Sequence, residues 1–221
     1  MNPVLQAIQS RKSIREFSEV PVSEEIIREI LETAARAPSS KNTQPWKLFL
    51  VTGNALSALR EDYGRAFDER KEPELELSNT LFPAYRDRAM NLGKAIFAHK
   101  GILREDKEKR RLHDRANFEF FNAPQIFMLA VNKEAYHEIT LMDCGIFASY
   151  LMLAIHGAEL GCCPQTSTII YPSILRKHIP HSEDLRFLMI FPFGKPREGS
   201  RLNEFHTERE PVASWFTEVR D

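Results

Sequence analysis

Two short stretches near the start of the chain carry side chains suited to holding a charged, polar small molecule. Residues 11–17 read RKSIREF, which sets Arg11, Lys12 and Arg15 around the hydroxyl of Ser13. Guanidinium groups offer forked N–H donors that match phosphate oxygens, and a short hydroxyl can close on the same oxygen. A solvated basic turn is the simpler reading of this cluster taken alone. Residues 37–46 read APSSKNTQPW, a run of short hydrogen-bonding side chains between two prolines that ends on a tryptophan. The prolines disfavour helix and central strand. The stretch is therefore a stiff loop with directed donors and acceptors, built to grip a polar ring.

Other site chemistries lack their patterns. No G-x-G-x-x-G, P-loop or G-x-S-x-G occurs. Cys162 and Cys163 lack zinc spacing, and His178 and His181 flank a proline with no cysteine nearby, so no metal site is expected. Cys163 has no evident base partner and reads as a small buried hydrophobe. The cysteine count of 3, with two of them adjacent, is a poor disulfide framework and suits a reducing compartment. At 221 residues, 43% hydrophobic and 28% charged, with net charge -1, the chain has no surplus of cations for a nucleic-acid surface. Its longest apolar segment, Met142–Leu160, is broken by Asp143, His156 and Glu159, and no apolar run opens the sequence. A soluble cytoplasmic protein, neither membrane-bound nor secreted, is expected.

The elements that must position these residues can be read from periodicity. Val4, Leu5 and Ile8 give a short opening helix. Ser23 is an N-cap candidate, with Glu24 and Glu25 favouring the helix start and Ile26, Ile27, Ile30, Leu31, Ala34 and Ala35 supplying the stripe. Apolar runs at 47–52, 125–131 and 186–193 read as three buried strands. Helices are expected over 56–67, 85–103, 106–121 and 172–179, with a long core helix over 139–160 and Gly161 as its C-cap. Helices separated by isolated strands, without βαβ regularity, give an α+β class. The whole chain reads as one domain, 1–221, with a mobile insertion or lid around 69–90.

The two opening motifs, at this separation, resemble the FMN-dependent nitroreductase family. That family carries R-[RK]-S-x-R-x-F followed by P-S-S-x-N-x-Q-P-W. NFEFFNAP at 117–124, LMLAIHGAELGCCPQTS at 151–167 and NEFHTEREPVASWF at 203–216 are similar to three further family segments, so the resemblance spans essentially the whole chain. It implies a central mixed β-sheet flanked by helices, an extended C-terminal tail and an intertwined homodimer sharing two FMN sites. Carried over by motif, Arg11, Lys12, Ser13 and Arg15 would hold the phosphate and the flavin edge. Pro38, Ser39, Ser40 and Asn42 would reach the FMN of the other subunit. Pro164, Gln165 and Thr166 would line the flavin face near N5, largely through backbone, with Asn117 as a further contact.

His206 and Arg209 would complete the phosphate site from the tail. Lys12 stands where many members carry arginine, His206 replaces the first tail arginine, and Asn122 replaces a glycine. FPFGKPREG departs from the family's G-Y-P turn, which makes Lys195 or Arg197 alternative contributors. The implied activity is hydride transfer from NADPH or NADH through flavin N5 to a small electron-poor acceptor, a nitroaromatic or quinone, with ping-pong kinetics. No side chain is expected to act as general acid or base, and Phe118, Phe120 and Phe121 read first as core. Reductive dehalogenation, flavin fragmentation and a non-catalytic flavin-binding module are the alternatives that the same fold allows.

Overall fold

The computed structural model describes residues 2–76 and 82–220. Seven α-helices and a four-stranded sheet occur among them. The sheet is built from β1 (Lys47–Thr52), β2 (Gln125–Asn132), β3 (Gly161–Cys162) and β4 (Leu185–Gly194), in the order β1-β2-β4-β3. All three strand pairings are antiparallel, and the sheet is mixed only through a parallel bridge between Ser13 and Cys162.

The unbroken apolar run of β2 has a direct physical cause. Its side chains alternate between two cores, and both faces of the strand are covered. Phe127, Leu129 and Val131 face α2 (Glu24–Ala34) and α6 (Glu138–Gly157), where they meet Ile30, Phe147 and Leu151. Ile126, Met128 and Ala130 face α3 (Gly53–Asp68) and α7 (Pro172–His178), where they meet Leu59, Tyr63 and Leu175. Burying each of the larger apolar side chains contributes about 1.5–3 kcal/mol. A third, smaller cluster of Ile14, Phe17, Phe121, Ala123 and Cys163 lies under the basic segment.

The expected elements form, with shifted ends. Ser23 caps α2 by accepting from the Ile26 N–H at 3.4 Å. The stretches expected as helices over 85–103 and 106–121 form as α4 (Pro83–His99) and α5 (Lys107–Phe118). The opening helix, α1 (Pro3–Ser10), buries none of its residues. Gly161 is not the cap of α6. That helix ends at Gly157, Glu159 takes the positive φ of 59°, and Gly161 opens β3. Phe120 and Phe121 are buried, and Phe118 packs against the second core, as core residues do.

α6 is the one helix among the described residues long and apolar enough, by length and composition, to span a membrane. Its buried stripe of Cys144, Phe147, Ala148, Leu151 and Ile155 is that of a helix packed on a sheet. The opposite face is also apolar and uncovered in the single chain, with Ile139, Met142, Ile146 and Tyr150 exposed. Of the insertion expected around 69–90, residues 77–81 lie outside the described residues. Before them, the Glu74 and Leu75 N–H groups donate to the Ile170 carbonyl, and the Glu74 carboxylate receives the Ser173 N–H at 2.9 Å. After them, α4 begins at Pro83.

Candidate functional site

The basic segment is laid out as extended chain between β3 and the tail. Ile14 N–H donates to the Cys162 carbonyl at 3.0 Å, and Ser18 N–H to the Lys195 carbonyl at 2.8 Å. The buried Asn203 side chain holds the middle. Its Oδ1 accepts from the backbone N–H of Arg15 (2.9 Å) and Glu16 (3.2 Å), while its Nδ2 donates to the Glu16 carbonyl (2.7 Å). With the backbone so fixed, Ile14 and Phe17 are buried, while Arg11, Lys12, Ser13 and Arg15 stay partly exposed.

A cavity of about 300 Å³ results, with Arg11, Lys12, Ser13 and Arg15 on one side and His206 and Arg209 of the tail on the other. Lys12 Nζ lies 3.4 Å from His206 Nε2. Arg209 Nη1 donates to the carbonyls of Thr207 (3.1 Å) and Glu208 (2.9 Å) and to the Thr207 hydroxyl, while its Nη2 and Nε have no partner among the described residues. None of these cations pairs with a carboxylate among the described residues. Arg11 Nη1 is buried with no hydrogen-bond partner among them. An orphaned buried donor costs the full desolvation of its group, on the order of 1–3 kcal/mol and more when charged. A set of converging cations with such a donor fits a dianionic phosphate. Lys195 instead lies 3.9 Å from Glu198, and Arg197 lines an adjoining cavity of about 430 Å³ that it shares with Arg11.

The Pro164–Thr166 turn follows β3. Gln165 is buried, and its backbone N–H (2.8 Å) and carbonyl (2.9 Å) both pair with Ile190, so its own main chain is committed to the sheet. Its side-chain Nε2 donates to the Asn117 carbonyl at 3.0 Å, tying the end of α5 to the turn. The Asn117 amide donates to the His113 carbonyl of its own helix at 3.3 Å. Thr166 is exposed, and Pro164 half-buried, beside the paired Gln165. Thr166 lines a separate cavity of about 400 Å³ with Cys144, Gly145 and Met189.

The loop at 38–44 sits elsewhere. Lys41, Asn42 and Gln44 adopt positive φ (49°, 58° and 47°), a tight coil closed by the Gln44 N–H on Ser39 Oγ at 3.0 Å. Its anchors are Trp46, stacked on Phe147 with centroids 4.6 Å apart, and the buried Asp143, whose Oδ1 receives the Ser40 N–H at 3.0 Å. Pro38, Ser40 and Asn42 are left exposed. The residue that leads into the basic segment is tied to the other end of α6, where Ser10 Oγ is 2.7 Å from His156 Nε2. From Asp143 to His156 is thirteen residues of helix, about 20 Å at a rise of about 1.5 Å per residue. The structure thus brings Arg11, Lys12, Ser13, Arg15, His206 and Arg209 together, joins Asn117 to Gln165, and holds Pro38, Ser39, Ser40 and Asn42 near the far end of the same helix.

Several supporting residues carried little sequence signal. Asn203 and Asp143 act through backbone partners that are 187 and 103 residues away. Asp143 was visible only as an acid interrupting an apolar run. Lys100 and His113, paired at 3.0 Å (Nζ to Nδ1), meet through the packing of α4 on α5. Burial pushes the Cys162 thiol up to about 12 and the Cys163 thiol above its ordinary value, despite Arg15 and the Ser13 hydroxyl beside the latter.

The family model described as the nitroreductase family matches residues 8–195. A 4-nitrobenzoate reductase of Pseudomonas putida is 30% identical over 213 residues, covering 95% of this chain and 92% of the relative. Among solved structures, the FMN-dependent nitroreductase NfnB of Mycobacterium smegmatis in complex with NADPH superposes with a TM-score of 0.90 at 27% identity over 98% of both chains. The FMN- and NADPH-dependent NfnB of Sphigopyxis sp. strain HMH gives 0.91 at 26% identity, over 98% of this chain and 99% of that one.

Proposed function

The chain belongs to the nitroreductase family, and from that premise we propose that it is an FMN-dependent, NAD(P)H-driven reductase of nitroaromatic or quinone acceptors. The observation that carries this reading is the cavity of about 300 Å³ in which Arg11, Lys12, Arg15 and Arg209 converge without a carboxylate partner among the described residues, with Arg11 Nη1 buried and unpaired. Bound there, FMN would supply the hydride chemistry, taking two electrons from NADPH or NADH at N5 and passing them to the acceptor.

The protein's own work is binding and orientation. Arg11, Lys12, Ser13 and Arg209 hold the phosphate, with His206 beside Lys12. Arg15, whose backbone is fixed by Asn203, presents its guanidinium to the flavin edge. Pro164 and Thr166 meet the ring from the turn that Gln165 pins to β4 and α5. Pro38, Ser39, Ser40 and Asn42 serve the second subunit's cofactor. Their loop and the clamp are tied to α6 positions about 20 Å apart, so one subunit's loop and its own clamp do not share a ligand.

A twofold dimer answers this, and it also covers the exposed apolar face of α6 and the exposed Val4, Leu5 and Ile8 of α1. The whole chain acts as one domain, in the soluble phase of the cytoplasm.

The test is an absorbance spectrum of the purified protein, followed by anaerobic NADPH and then 4-nitrobenzoate or a quinone. A flavin spectrum that bleaches and then recovers is expected, with parallel double-reciprocal plots in steady state. A protein that binds FMN but is bleached by neither nicotinamide would be a flavin-binding module. Colourless protein that FMN cannot reconstitute would remove the reading.

A further inference from the structure

Resting on the FMN reading above, we propose that Lys100 is an electrostatic partner of the cofactor: its ammonium, held by His113, stabilises the negative charge that the flavin ring takes up on reduction. The placement comes from a chain of contacts into the site. Lys100 directly follows α4, and its Nζ lies 3.0 Å from His113 Nδ1. One helical turn on, the Asn117 amide donates to the His113 carbonyl, and Gln165 Nε2 donates to the Asn117 carbonyl at 3.0 Å. Phe97 packs edge-on against the His113 ring at 5.0 Å, and Arg110 covers Phe97 at 4.4 Å. The lysine is therefore fixed to the same piece of α5 that meets the flavin-facing turn.

Three cations of α5 are matched, Lys109 with Asp106, Arg111 with Glu108 and Asp68, and Arg115 with Asp68 and Glu119, while Arg110 stacks on Phe97. Lys100 has no carboxylate partner among the described residues. The carboxylate that acts on it, Glu16, accepts the Ser200 hydroxyl at 2.5 Å. An ammonium has three donors and no acceptor, so His113 Nδ1 must accept, which requires a neutral imidazole. Burial, then the charges of Lys100 and Arg15, push His113 down to about 4, and burial lowers Lys100. A half-buried lysine and arginine with a neutral histidine, neither cation in a salt bridge among the described residues, form a preorganised positive field, which strengthens when negative charge develops beside it.

The test uses the holoenzyme and its Lys100→Met and Lys100→Arg variants. Retained flavin is read from the absorbance of desalted protein, and the midpoint potential of bound FMN from an anaerobic titration against a reference dye. Lys100→Met is expected to keep its flavin while the reduced form loses at least tenfold in relative stability, a drop of about 30 mV for a two-electron couple. Lys100→Arg, which keeps the charge, leaves the potential unchanged. Lys100→Gln, which retains a donor for His113, carries the same expectation as methionine if the latter loosens the α4–α5 contact. An unchanged potential in flavin-loaded Lys100→Met or Lys100→Gln overturns the proposal. So does a raised KM for 4-nitrobenzoate alone at constant potential, which would give the ammonium to the acceptor's carboxylate. Wild-type protein that FMN cannot reconstitute would instead overturn the cofactor reading, and this role with it.

Discussion

At the scale of single residues, the site is a matter of cations placed without carboxylate partners among the described residues. Arg11 is the clearest case, since its buried Nη1 has no acceptor among the described residues. Arg11→Ala is expected to weaken FMN binding by about 2–4 kcal/mol, read from flavin fluorescence as the apoprotein is titrated. Affinity equal to that of the wild type would remove Arg11 from the phosphate site.

His113 gives a second prediction, on stability. Its folded value, about 4, lies below the ordinary 6.5, so the unfolded chain binds the proton first as pH falls. The native state keeps its full advantage above about 6.5 and loses it as the pH drops toward 4. Denaturant midpoints measured across that window should fall with acid, and more shallowly in His113→Gln. Parallel curves would mean that the imidazole is not held neutral. The clamp cations were legible in the sequence because charge is written in residue type. Lys100 and His113 were not, because their meeting depends on how α4 and α5 pack.

Among the elements, short ones proved hardest to read and most consequential for the site. The six residues of β1 stood out as an apolar run, whereas β3 is two residues long and its Gly161 resembled a helix cap. What that glycine provides is room. A methyl there would lie 2.3 Å from Ile14 Cγ1 and 2.7 Å from Ile14 Cβ, inside the segment that carries Ser13 and Arg15. Gly161→Ala should therefore destabilise the fold by about 1–3 kcal/mol through overpacking and loosen FMN as the segment is pushed outward. A denaturant midpoint and a flavin affinity both equal to wild type would show that the contact gives way freely. The C-terminal end of α6 was misplaced for a related reason. The non-glycine Glu159 takes the left-handed turn, a choice that tertiary packing imposes and a glycine rule does not anticipate.

At the scale of the whole molecule, α6 acts as a spacer between clamp and loop, and the proposed dimer follows from its length. Asn42→Ala alone should weaken FMN retention without unfolding the subunit. A stronger check is to assemble heterodimers from an Arg11→Ala chain and an Asn42→Ala chain. With each site built from both subunits, one site in the heterodimer carries both changes and the other carries neither, so half of the wild-type flavin should return. Two weakened sites, each with one of the two changes, would place loop and clamp in the same subunit. On the proposed assembly, the distance along α6 also has a consequence for the cell. A newly made chain is colourless and silent until it meets a second one, so at low expression the amount of working enzyme rises with the square of synthesis. A copy defective in both clamp and loop then disables a neighbour's site as well as its own.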